Sequence, residues 1–69
     1  MADFYEKVRE YIMEKDEEMT SDSLMKGLLK DKVLIVENVP VIPVVLFNME
    51  FNKELEKKKR DGQYFYTRR

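Results

Sequence analysis

The sequence predicts a small α+β domain, three helices followed by a C-terminal β-hairpin. Three observations predict it. Two segments in the first half carry apolar residues at helical spacing, each behind residues that cap helices. An apolar run led by Pro43 resumes that spacing in the second half. Asp61-Gly62 stands between the run Lys57-Lys58-Lys59-Arg60 and the run Tyr64-Phe65-Tyr66. An Asp-Gly pair between two extended runs is a strong hairpin signal, because both central residues of a type I′ turn take positive φ.

The first helix is expected over 3–17. Asp3 can cap it, with Glu6 three residues later as a capping box requires. Phe4, Tyr5, Val8, Tyr11 and Ile12 share one face, and Glu6, Arg9, Glu10 and Glu14 take the wet side. Asp16, Glu17 and Glu18 place negative charge where the helix dipole disfavours it, so the helix should end or fray there. Thr20 or Ser21 caps a second helix, with Asp22 in its first turn and Leu24, Met25, Leu28 and Leu29 as its apolar stripe. Gly27 costs that helix about 1 kcal/mol relative to Ala, a cost that close approach of the first helix would explain.

Residues 33–47 admit two readings. In the first, Val33-Leu34-Ile35-Val36 is a buried strand, 37–42 an extended linker and 43–56 the third helix, with Pro43 as its first residue, where a missing N–H costs nothing. Val44, Phe47 or Asn48, Phe51 and Leu55, spaced by three and four, support that helix. In the second, 33–47 is a β-hairpin followed by a shorter helix capped by Asn48. Pro40 and Pro43 weigh against a central strand there, since neither donates to a ladder.

At 69 residues the chain is one domain, 1–69, and a domain this small buries only about 60% of its unfolded surface. It has no Cys and no His. That removes disulfides, thiolate chemistry, the usual general base near neutral pH and the commonest zinc ligand. No carboxylate pair lies in an apolar setting, and no Ser has a His or Lys at informative spacing, so neither an enzyme nor a cofactor is expected. No run of about twenty apolar residues spans a membrane, the first residues lack the basic start of a signal peptide, and a cysteine-free chain suits the cytoplasm.

Charge is distributed unevenly. Residues 1–22 hold eight acidic and three basic side chains, and residues 53–69 hold seven basic and three acidic. Such a chain has a directional field. Lys57, Lys58, Lys59, Arg60, Arg68 and Arg69 can hold the phosphates of a polyanion, or can simply keep an exposed ribbon soluble. Tyr64 and Tyr66 point to one side of their strand and Phe65 to the other. Phe65 is expected in the core. The two tyrosines can stack on bases or anchor a protein, or can pack across the ribbon beside the lysines. Val39, Val41, Ile42, Val44 and Val45 form either core or a partner interface, a homodimer included, since oligomerisation is a usual remedy for a small core. The acidic face Glu6, Glu10, Glu14, Asp16, Glu17 and Glu18 is either a solvated helix face or a dock for a basic partner.

Met19-Thr20-Ser21-Asp22-Ser23-Leu24 resembles the start of the second helix in winged helix-turn-helix domains, and 55–66 resembles the end of their recognition helix running into the wing. Together these segments cover about a quarter of the chain. The resemblance implies a winged-helix-like fold and a transcription regulator binding duplex DNA. The third helix would lie in the major groove with Asn48, Asn52 and Lys53 approaching the bases, and the basic hairpin on the backbone. The stretch 30–42 is longer and more apolar than the family's tight turn, and Glu50, Glu54 and Glu56 would face phosphate. The alternative is a protein-interaction module, an adaptor or an inhibitor of a larger enzyme, using the valine-rich stretch or the acidic first helix.

Overall fold

Helix α1 runs Phe4–Glu14, α2 Ser21–Lys30 and α3 Val41–Phe51. A 3-10 turn at Val36–Asn38 precedes α3, and an antiparallel hairpin of β1 (Leu55–Arg60) and β2 (Gln63–Arg68) follows it. This computed structural model describes residues 4–69, so Asp3, the expected cap of α1, lies outside the described residues. The α+β class, three helices and a C-terminal hairpin, is the one the sequence predicts. No described helix is long and apolar enough to cross a membrane.

The core draws on the three helices, β1 and two connections. Val8 and Ile12 come from α1, Leu24 and Leu28 from α2, Ile42, Val45, Leu46 and Met49 from α3, and Leu55 from β1; Met19 and Leu34 come from the connections. Helix α1 ends at Glu14, and the acidic run 16–18 lies beyond it, where it no longer opposes the dipole. Helix α2 starts with a reciprocal capping box: the Ser23 amide donates to Thr20 Oγ1 and the Thr20 amide donates to Ser23 Oγ, both at 3.0 Å. A Cβ on Gly27 would stand 2.5 Å from the Tyr11 hydroxyl, so glycine leaves room for the Tyr11 side chain of α1 to lie across α2 here.

Residues 33–36 are not a strand. The sheet among the described residues is β1 and β2 alone, with Met19 bridging β2, and 33–36 pairs with neither strand. Helix α2 closes instead through a left-handed Lys32 (φ 59°), with the Val33 and Leu34 amides both donating to Leu28 O. Leu34 enters the core, while Ile35 and Val36 stay exposed and begin the 3-10 turn. The rival hairpin over 33–47 is excluded as well, because 41–51 is helical.

Helix α3 starts two residues before Pro43 and ends at Phe51 rather than 56. Proline is tolerated throughout a first turn, whose N–H groups lack intrahelical acceptors. At the other end Lys53 turns left-handed (φ 63°) and the Glu54 amide donates to Met49 O at 2.8 Å, which stops the helix. Residues 55–60 are therefore strand β1 and not the end of a recognition helix.

The hairpin closes through Asp61 (φ 53°) and Gly62 (φ 76°), the pair of positive φ values expected there. Its register pairs Lys57 with Tyr66 and Lys59 with Tyr64. Alternation then sets Leu55, Lys57, Lys59, Tyr64, Tyr66 and Arg68 on one face. Leu55 is buried, so this face is the inner one, and Tyr66 packs against the core. Phe65 is not a core residue: it sits half-buried on the opposite face with the Arg60 guanidinium 4.2 Å from its ring centroid. Met19 and Tyr66 exchange backbone hydrogen bonds of 2.8 and 2.7 Å, fastening the α1–α2 connection to the free edge of β2.

Candidate interaction surfaces

The two strongly charged ends of the chain meet when it folds. Arg60 pairs with Glu18, Arg68 pairs with Asp16 and donates to Met13 O, and Arg9 forks onto both oxygens of Glu54. The Arg9 hydrogen bond, assisted by its charge, holds the Glu54 carboxyl below the usual carboxylate range. Lys57 reaches Glu50 at 3.2 Å, and that hydrogen bond raises the ammonium's pKa. Burial raises the Tyr66 phenol. The field legible in the sequence is thus partly closed within the molecule.

What remains of the predicted basic surface is smaller. Among the described residues Lys53, Lys58, Lys59 and Arg69 are exposed and have no acidic partner, and Lys59 lies over the Tyr64 ring at 5.7 Å, beside Lys57 at 4.7 Å. Tyr64 is accessible for stacking. Tyr66 is not a stacking platform, because its ring is turned inward and its backbone is tied to Met19. Asn48 is half-buried, and Asn52 is exposed at the C-terminal cap of α3.

The valine-rich stretch divides. Ile42 and Val45 are core residues of this chain and cannot serve a partner, since helical spacing points both at α1 and α2. Val39 and Val41 are partly covered. Val44 is exposed, and with it, one and two turns on, Phe47 and Phe51: the three show 51%, 66% and 76% of their surface to solvent. The Phe47 and Phe51 rings lie nearly parallel, 6.5 Å apart. Sequence spacing assigns Val44, Phe47 and Phe51 to the helix's packing face; the structure packs Ile42, Val45, Leu46 and Met49 instead. The signal was present nonetheless. Val41–Phe51 is apolar all round, and a helix of that kind in so small a domain must leave part of itself uncovered.

At the N-terminal end of α3 a cleft of about 240 Å³ opens against α2, lined by Met25, Val39, Pro40, Ile42 and Pro43 with Ser21 and Asp22 at its polar side. Among the described residues no three His, Cys, Asp or Glu side chains gather as a metal site. The surface can therefore offer apolar contact area, a stacking ring and a few cations. Comparison with protein families, with curated proteins and with solved structures finds no match to this chain.

Proposed function

We propose that this chain is a protein-interaction module, built on a winged-helix-like scaffold, whose docking surface is the outer face of α3. One observation carries the reading: Val44, Phe47 and Phe51 stand exposed in a row on the helix that a DNA-binding winged helix would lay in the major groove. Monomeric soluble proteins rarely leave such an apolar row without use, and aromatic side chains dominate protein interfaces. The same row argues against base reading, which needs polar side chains aimed at base edges. The order helix, short bridge, helix, helix, hairpin supports the scaffold.

A second reading, a transcription regulator that binds duplex DNA, is favoured by the exposed cations without acidic partners, Lys53, Lys58, Lys59 and Arg69. Two measurements separate the readings. A photo-crosslinking side chain at position 47 should give discrete protein adducts, while the same group at position 26, exposed on α2, should give none. Anisotropy of a labelled random duplex should show no binding at about 50 mM salt. Binding there that collapses at about 200 mM, together with no adduct from position 47, overturns the docking face in favour of phosphate contact.

A further inference from the structure

We propose that the occupant of the α3 face is a second copy of this chain, packed with its α3 antiparallel to the first about a two-fold axis beside Phe47. The proposal rests on the docking-face reading and names its partner. Three features of the surface are self-complementary.

The first is spacing. Val44, Phe47 and Phe51 follow one another at intervals of three and four, the a/d pattern that seats one helix on another. In an antiparallel pair centred on Phe47, the partner's Phe51, four residues beyond the axis, falls opposite Pro43, four residues before it. Pro43 rims the apolar cleft against α2. A phenylalanine ring projects from one copy where the other copy has an apolar hollow of about 240 Å³, and the symmetry repeats that contact twice.

The second is charge. The C-terminal end of α3 carries Lys53, exposed and without an acidic partner among the described residues. Near its N-terminal end stand the exposed Glu37 in the preceding 3-10 turn and, at the cleft, Asp22 of α2, which already pairs with Lys26 at 3.2 Å. Glu50 and Glu54 at the C-terminal end are taken up by Lys57 and Arg9, so antiparallel packing brings the unpaired Lys53 of each copy toward Glu37 of the other and opposes the two helix dipoles favourably. Parallel packing would set Lys53 against Lys53.

The third is area. The exposed fractions of Val44, Phe47 and Phe51 are 51%, 66% and 76%. With rings of about 200 Å² and a somewhat smaller aliphatic side chain, they offer roughly 350 Å² per copy and about 700 Å² for the pair, the size of a weak, reversible interface.

The chain has no cysteine, so one introduced thiol is unique. Sedimentation equilibrium of the full chain should give a dimer at tens of micromolar, and Phe47→Glu should give a folded monomer by circular dichroism. Phe47→Cys, beside the axis, should oxidise to a covalent dimer, while Lys26→Cys should not. Phe51→Cys should fail to link to itself but should link to Pro43→Cys in a mixture of the two. A wild-type chain that stays monomeric at several hundred micromolar overturns self-association, as does a Phe51→Cys self-link without a Phe47→Cys link. In either case, crosslinking from position 47 in cells separates the failures: an adduct with a different chain preserves the docking face, and no adduct removes that as well.

Discussion

The two sides of α3 are almost equally apolar and have opposite fates. On the inner side Ile42, Val45, Leu46 and Met49 are buried; on the outer side Val44, Phe47 and Phe51 are open to water. The hairpin shows the same contrast in charge. Lys57, Arg60 and Arg68 are matched by Glu50, Glu18 and Asp16, while Lys53, Lys58, Lys59 and Arg69 meet no acid among the described residues. Arg60 and Arg68 hold the hairpin to the α1–α2 connection, and Lys57 holds it to α3. The surface left for other molecules is the one that looks, residue by residue, like core.

Substitution breaks this comparison most directly. Met49→Ala should cost about 2–5 kcal/mol, since it empties a fully buried site in the core. In a domain whose total stability is a few kcal/mol, that leaves much of the chain unfolded. Phe47→Ser removes a larger side chain, yet should stay within about 0.5 kcal/mol in the monomer. Urea unfolding of both, at concentrations low enough to exclude association, measures the difference. Equal losses would mean that the outer row packs inside this chain after all.

Gly27 sharpens the contrast at the α1–α2 contact. Gly27→Ala would gain up to about 1 kcal/mol of helix propensity. Its Cβ, however, would displace the Tyr11 hydroxyl, which donates to Asp31 at 3.0 Å. A net loss of about 1 kcal/mol is expected, from the broken hydrogen bond and the moved ring. In a Tyr11→Phe background the nearest atom is gone, and the next stands at 3.4 Å, ordinary contact. There Gly27→Ala should turn neutral or stabilising. A double-mutant cycle in thermal unfolding reads the sign, and additive losses would rule the clash out.

How far the fold was legible follows from which signals are local. The α2 start depends on Thr20 and its neighbours, and the hairpin on Asp61-Gly62; each is set within a few residues and each stands where the sequence places it. The fate of 33–36 is not local. Its β-branched run suits a strand, but the left-handed Lys32 and the Val33 and Leu34 amides on Leu28 O close α2 there and turn Leu34 into the core. The packing face of α3 is not local either. With apolar residues all round, periodicity cannot select Met49 over Phe47, and only the shape of α1 and α2 decides. The ion pairs were hidden for the same reason: a count of charges by segment shows two opposite ends and not that folding brings them together.

The smallest effect expected is also the most specific to pH. Glu54 closes the turn between α3 and β1, takes both ends of the Arg9 guanidinium, and its carbonyl accepts the Arg69 amide at 3.1 Å. Because Arg9 lowers the folded-state pKa of Glu54, the carboxylate contributes stability that is fully present above its unfolded value of about 4.3. That contribution is lost as pH falls through the lower folded value, while Arg9 stays charged throughout. Glu54→Gln should therefore unfold at a slightly lower temperature than the wild type at neutral pH. The two melting curves should draw together as pH falls below the unfolded value of about 4.3 and meet once it has passed the lower folded value, where the wild-type carboxyl is protonated too. A gap that persists to the lowest pH at which the chain folds would show that Glu54 acts through packing and backbone alone. The bridge between α1 and the α3–β1 turn would then not depend on charge.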